Sequence, residues 1–175
     1  MSAAERRAAV LELRARGRRL EGHAATFGTE ARIADFHEVL APGCFARSLT
    51  SNPDILALVD HDSKRVLART RSGTLRLSED SKGLAFDLDV PDTTLGRDLL
   101  EMAARSDLGG MSFAFTVEKD GEHWEGNRRE LRNVHLIEVS VVSAFPAYAA
   151  TTVQARRKVY LPPRLMFAKR FLETL

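Results

Sequence analysis

Gly110-Met-Ser-Phe-Ala-Phe-Thr-Val117 alternates: Met111, Phe113, Phe115 and Val117 are apolar, while Ser112, Ala114 and Thr116 are small or polar. A period of two belongs to a strand, whose successive side chains point to opposite faces. The stretch therefore predicts a strand with one face on a core and Ser112 on the other. Leu136-Ile-Glu-Val-Ser-Val-Val142 repeats the pattern, with Ile137, Val139 and Val141 on one side and Glu138 and Ser140 on the other. Both runs are rich in β-branched and aromatic residues, which suit a pleated, half-buried surface.

Working outward, Gly109-Gly110 ends a helix predicted over 94–106, capped by Asp92 or Thr93, with Leu95, Leu99, Met102 and Ala103 on one face. Upstream, 74–77 and 84–90 read as strands around a Ser81-Lys82-Gly83 turn, and 10–27 reads as a hairpin folded at Gly17-Arg18. Pro42-Gly43 precedes a short helix carrying Phe45 and Leu49, which Asn52-Pro53 ends; 55–59 is then a buried strand running into Asp60-His61-Asp62. A polar hairpin around Asp120-Gly121 leads to 128–134. The fold class is β-rich α+β, and many short strands with a helix or two predict a small antiparallel β-barrel with flanking helices.

A chain of 175 residues with 44% hydrophobic and 29% charged residues makes one globular domain, expected over 1–150, followed by a tail at 151–175. The tail has a net charge of +5 and the body −3, so the basic balance belongs to the tail and direct nucleic-acid binding by the body is not expected. Apolar runs stay far below the roughly 18 residues of a membrane span, and the opening MSAAERRAAVLELRARGRR has charges where a signal peptide has its apolar stretch. Membrane insertion and Sec-type export are therefore not expected. Cys44 is the one cysteine, and neither CxxC nor HExxH occurs, which argues against a disulfide-built fold and the common zinc sites. The phosphate-cradling glycine loop is missing too, so kinase and nucleotidase readings fall away. Neither metal nor organic cofactor is expected.

A serine hydroxyl needs a base to act as a nucleophile, and an imidazole base needs a third group to orient it. His61, Ser112 and Glu138 supply one of each. Glu138, a carboxylate in a hydrophobic strand, needs a partner in any case. His61 is one candidate; Arg128, Arg129 and Arg132 are the others. Ser112 does not sit in a Gly-x-Ser-x-Gly elbow, since Ala114 replaces the second glycine, which argues against an α/β-hydrolase. His135 and Glu138 are three apart, which on a strand puts them on opposite faces and argues against a shared metal. His23, His37 and His123 show no ligand spacing, and Ser63-Lys64 lies on a turn unsuited to a dyad.

Four blocks in order, 22–28 with 39–49, Leu58-Val-Asp-His-Asp62, Gly110-Met-Ser-Phe-Ala-Phe115 and 138–148, resemble the tailed-phage prohead proteases, whose fold is similar to that of the herpesvirus assemblins. The resemblance covers about 11–150. It departs from the family at His23, where an aromatic residue is frequent, and at Cys44, where a small one is usual. It implies that His61 is the general base and Ser112 the nucleophile. Glu138 is the preferred third member, with His135 as the alternative because assemblins use a second histidine. It further implies a capsid maturation serine endopeptidase acting inside the assembling prohead in the host cytoplasm. Its substrates would be the scaffold, or the scaffold-like extension of the major capsid protein, and itself. A homodimer is left open. The competing readings are a non-catalytic assembly or scaffold component with the same fold and, further off, a nucleic-acid-binding module.

Overall fold

The computed structural model describes residues 4–9 and 13–144; the segment expected as a basic tail and the last part of the fourth block lie outside the described residues. The chain runs β1 (Glu5–Ala9), β2 (Leu13–Arg16), β3 (Arg19–Thr26), β4 (Ala31–Ile33), β5 (Phe36–Leu40), α1 (Ala46–Ser51), β6 (Leu56–Val59) and β7 (Asp62–Arg69). It continues through β8 (Leu75–Glu79), β9 (Gly83–Asp89), α2 (Thr94–Ala104), β10 (Gly110–Val117), β11 (Glu122–Glu125), β12 (Arg128–Leu131) and β13 (Val134–Val142).

The β-rich class with few helices holds, but the sheets do not close into a barrel. The main sheet has the order β1-β10-β13-β6-β7, a second β11-β12-β5-β4 and a third β2-β3-β9-β8. A barrel needs its outer strands to pair with each other. Here β1 and β7 remain the two edges of the main sheet. Nor is the pairing wholly antiparallel, since β13 runs parallel to β6 and β12 parallel to β5. Among the described residues no helix is long and apolar enough to cross a membrane.

The core lies between the sheets. Met111, Phe113 and Phe115 of β10 are buried, as the alternation requires, and Phe113 stacks on Phe115 while meeting Phe45 edge-on at 5.6 Å. Cys44 is also fully buried, and burial pushes its thiol well above the ordinary range, so it is an inert core residue. The predicted hairpin at Gly17-Arg18 forms, with Gly17 at φ +62. Of the two candidate caps for α2 it is Thr93 whose hydroxyl accepts the Gly96 amide.

One irregularity positions everything that follows. In the β10–β13 pairing Ala114 faces Glu138 but Phe115 faces Leu136, so Ile137 is an extra residue, a β-bulge, and is 37% exposed. Strand β6 begins only opposite Glu138, and α1 takes over beyond it. The Ser48 hydroxyl accepts the Leu136 amide and the Asn52 side-chain amide donates to the Leu136 carbonyl. The short helix thus satisfies the backbone just before the bulge, which no strand reaches on that side.

Candidate functional site

The bulge changes the phase of β13. Val134 and Leu136 face the core before it, Val139 and Val141 after it, and all four are essentially inaccessible. His135 and Glu138 consequently share the outward face, where a regular strand would separate them; the opposite-face expectation fails because it assumed unbroken alternation. Ser112 sits opposite Ser140 in the same register. Directly opposed residues of an antiparallel pair project to the same side, with Cβ atoms about 4.5–5.5 Å apart. Ser112, Ser140 and Glu138 therefore form one patch, and all three are at least 94% buried.

His61 arrives from the two-residue turn between β6 and β7. Val59 pairs with Asp62 across it, and Asp60 and His61 have φ of 52° and 60°. Positive φ at both central residues is the geometry of a type I′ hairpin turn. Asp60 fastens the turn to the end of β13: its carboxylate accepts the Ser143 amide at 2.7 Å, the Ser143 hydroxyl at 2.8 Å and the Arg65 guanidinium at 2.9 Å, and its own amide donates to the Val141 carbonyl. Burial alone would raise the Asp60 pKa, but these donors outweigh it and hold the carboxyl below its ordinary value.

The turn lays the imidazole back over the sheet. His61 Nδ1 lies 2.6 Å from Glu138 Oε1, while Glu138 Oε2 accepts the Ser140 hydroxyl at 2.6 Å and Ser140 Oγ accepts the His61 amide at 3.2 Å. With a proton on Nδ1 directed at the carboxylate, Nε2 of the neutral ring is an acceptor. The alternative partners of Glu138 are engaged elsewhere: Arg128 with Glu30, Arg132 with Glu130, and Arg129 with Glu5, Glu38 and Glu122. The Ser112 hydroxyl donates to the Arg7 carbonyl of β1 at 2.8 Å; among the described residues it makes no hydrogen bond with His61. The Gly109 amide, a candidate oxyanion donor by its position, is committed to the Val142 carbonyl. Among the described residues no cluster of three or more His, Cys, Asp or Glu could hold a metal ion.

Two parts of this arrangement escape sequence reading. Ser140 was visible only as a polar residue on the Glu138 side, and its double role depends on a turn contributed from 79 residues away. Strand β1 reads as a charged Glu-Arg-Arg-Ala-Ala stretch without alternation, yet it lies beside the Ser112 strand. A buried ion network secures it. Arg7 reaches both oxygens of Glu38 at 2.6 and 2.8 Å, Arg129 holds Glu5, Glu38 and Glu122, and the Arg129 guanidinium lies 5.7 Å from the Trp124 ring.

The hydrogen bond from Arg129, joined by that from Arg7, holds the Glu5 carboxyl below its ordinary value near 4.5 despite partial burial. A carboxyl depressed on folding stabilises above its unfolded pKa, and the contribution is lost as pH falls through the folded one. Acidification below about pH 4.5 should therefore loosen β1. Trp124 is the one tryptophan of the chain, so an acid limb in its fluorescence should report this, and Glu5→Gln should weaken that limb. An identical limb in the variant would refute the assignment.

A comparison with protein-family models matches residues 6–161 of the chain to one described as the caudovirus prohead serine protease. No curated protein and no solved structure matches.

Proposed function

Since the chain belongs to the caudovirus prohead serine protease family, whose function is capsid maturation inside the prohead in the host cell, we propose that it is an active serine endopeptidase using Ser112, His61 and Glu138. The observation that carries this reading is the His61–Glu138 pair, which lies on the face of the main sheet that also carries Ser112, directly across from Ser140. Glu138 fixes the imidazole so that Nε2 accepts the Ser112 proton as Oγ bonds to a peptide carbonyl carbon. The imidazolium then returns that proton to the leaving amine, and water, activated by the same nitrogen, hydrolyses the acyl-enzyme. The neighbouring His135 shares the face but has no hydrogen bond to Glu138 or His61 among the described residues, so Glu138 is the favoured third member.

The substrates proposed are the scaffold or the scaffold-like extension of the major capsid protein, together with the protease itself. Confinement in a prohead raises effective concentration, so modest affinity suffices. The +5 segment at 151–175 is proposed to assist docking to acidic scaffold. Coexpression with cognate capsid and scaffold proteins, followed by intact-mass measurement, tests the reading. Discrete shortened products are expected; full-length partners in assembled particles would overturn it.

Ser140 is proposed as a positioning residue. Ser140→Ala would strip a buried carboxylate oxygen of its donor, a loss of about 1–3 kcal/mol, corresponding to a fall in kcat of about 5- to 160-fold. KM should hardly move, and the pH–rate profile should shift because the groups affected are the base and its orienting acid. An unchanged profile and kcat would remove Ser140 from the machinery.

A further inference from the structure

Strand β1 is the outermost strand of the main sheet, paired antiparallel with β10 so that Ala8 faces Ser112 and Arg7 faces Phe113. A serine hydroxyl has one proton, and that of Ser112 is given to the Arg7 carbonyl at 2.8 Å. A proton committed there is withheld from His61. The nucleophile is thus engaged by a peptide carbonyl of an extended strand while the His61–Glu138–Ser140 assembly stands complete beside it.

The side chains that hold β1 are charged. Glu5 and Arg7, two apart on one face, meet Arg129 and Glu38 respectively, and the Arg7 guanidinium also lies 5.4 Å from the Phe115 ring. A cleft of about 110 Å³, lined in part by Ala8, Thr26, Ile33, Glu38, Leu40 and Phe113, opens beside Arg7. Glu38 is only 3% exposed. Without Arg7 its remaining cation would be Arg129, which Glu122 also claims. A buried carboxylate left short of cations is strongly unfavourable, so whatever lies on this edge needs a positive charge at that point.

We infer that the outer edge of β10 is the surface on which a substrate polypeptide lies as an added antiparallel strand, and that β1 occupies it as an internal stand-in. This rests on the serine-protease reading above. Main-chain pairing supplies affinity in such strand addition, and the alternate side chains supply selectivity. The partner that fits is an extended polypeptide with an acidic residue facing Arg129 and, two positions later, a basic residue facing Glu38. Turnover on a substrate then requires β1 to leave, which frees the edge and the Ser112 proton together.

The test uses the full-length protein, a fluorophosphonate probe that labels an activated serine, and the acetylated, amidated peptide Ala-Glu-Arg-Arg-Ala-Ala, which copies residues 4–9. Arg7→Ala, checked for folding by circular dichroism, should label at Ser112 about five- to thirtyfold faster than wild type, the range expected when one strong contact holding β1 is lost. The peptide should slow that labelling again, and Ala-Glu-Arg-Ala-Ala-Ala should not. Equal labelling of the two proteins, indifferent to either peptide, would overturn the inference. If Arg7→Ala does not fold, Glu5→Gln takes its place in the same comparison. If no protein labels at Ser112, the protease reading fails on its own. A fluorescein-tagged copy of the first peptide then decides the strand surface: arginine-dependent binding to the variant supports it, and no binding overturns it.

Discussion

Ser112→Ala is expected to lower the rate of substrate cleavage by roughly four to six orders of magnitude, the loss seen when a serine nucleophile is removed from a working triad. The fold should survive. Ser112 is 1% exposed, and alanine fits the space while losing one hydrogen bond, that to the Arg7 carbonyl. Such a bond contributes about 0.5–1.5 kcal/mol net. The clean comparison is therefore an intact-mass time course of wild type and variant with capsid substrate, alongside thermal melts of each. Fragments present in wild type and absent from a folded Ser112→Ala protein are the expected result. Cleavage that persists at comparable rate in the variant would mean that the nucleophile is elsewhere.

The second large effect concerns the carboxylate. Glu138→Gln keeps the shape of the side chain but replaces one oxygen with an amide that donates to His61 Nδ1. The imidazole would then carry its proton on Nε2, where it must instead accept one from Ser112. In serine proteases with an Asp-His-Ser triad the equivalent acid-to-amide change lowers kcat about 10⁴-fold through the wrong tautomer, and a fall of similar order is expected here. His135→Ala should change kcat/KM by no more than a few-fold, because His135 shares the outward face without a hydrogen bond to either member of the pair. Measuring both variants on one substrate separates the two candidates for the third role. A large loss in His135→Ala with Glu138→Gln near wild type would reverse the assignment.

What the sequence made legible were the elements whose local pattern agrees with their burial. The alternation of 110–117 and the apolar run before Asp60-His61 gave the strands, and unpaired burial cost pointed Glu138 toward a partner that the structure supplies at 2.6 Å. The bulge at Ile137 was not legible, because period-two reasoning counts residues and a bulge adds one without changing the composition. Its effect was to misplace His135 relative to Glu138. Strand β1 was hidden for a different reason: Glu-Arg-Arg-Ala-Ala lacks alternation, and its pairing with β10 is accompanied by charges from β5 and β12 that match Arg7 and Glu5. The small sheet of β4, β5, β11 and β12 was obscured by strands of three to five residues rich in charge.

The turn that carries His61 also bears on how this protein would respond to selection for robustness alone. Both of its central residues lie in the left-handed region, where a side chain is held against a local preference of about 1–2 kcal/mol and where Asn-Gly would rest without strain. A search for more stable sequences would drift toward glycine at position 61 only together with an uncharged residue at 138, since glycine alone relieves the turn but strips the buried carboxylate of its imidazole partner. The proposed base and its carboxylate thus sit where folding and chemistry pull in opposite directions. Only pressure on the chemistry itself would keep the two together at that corner.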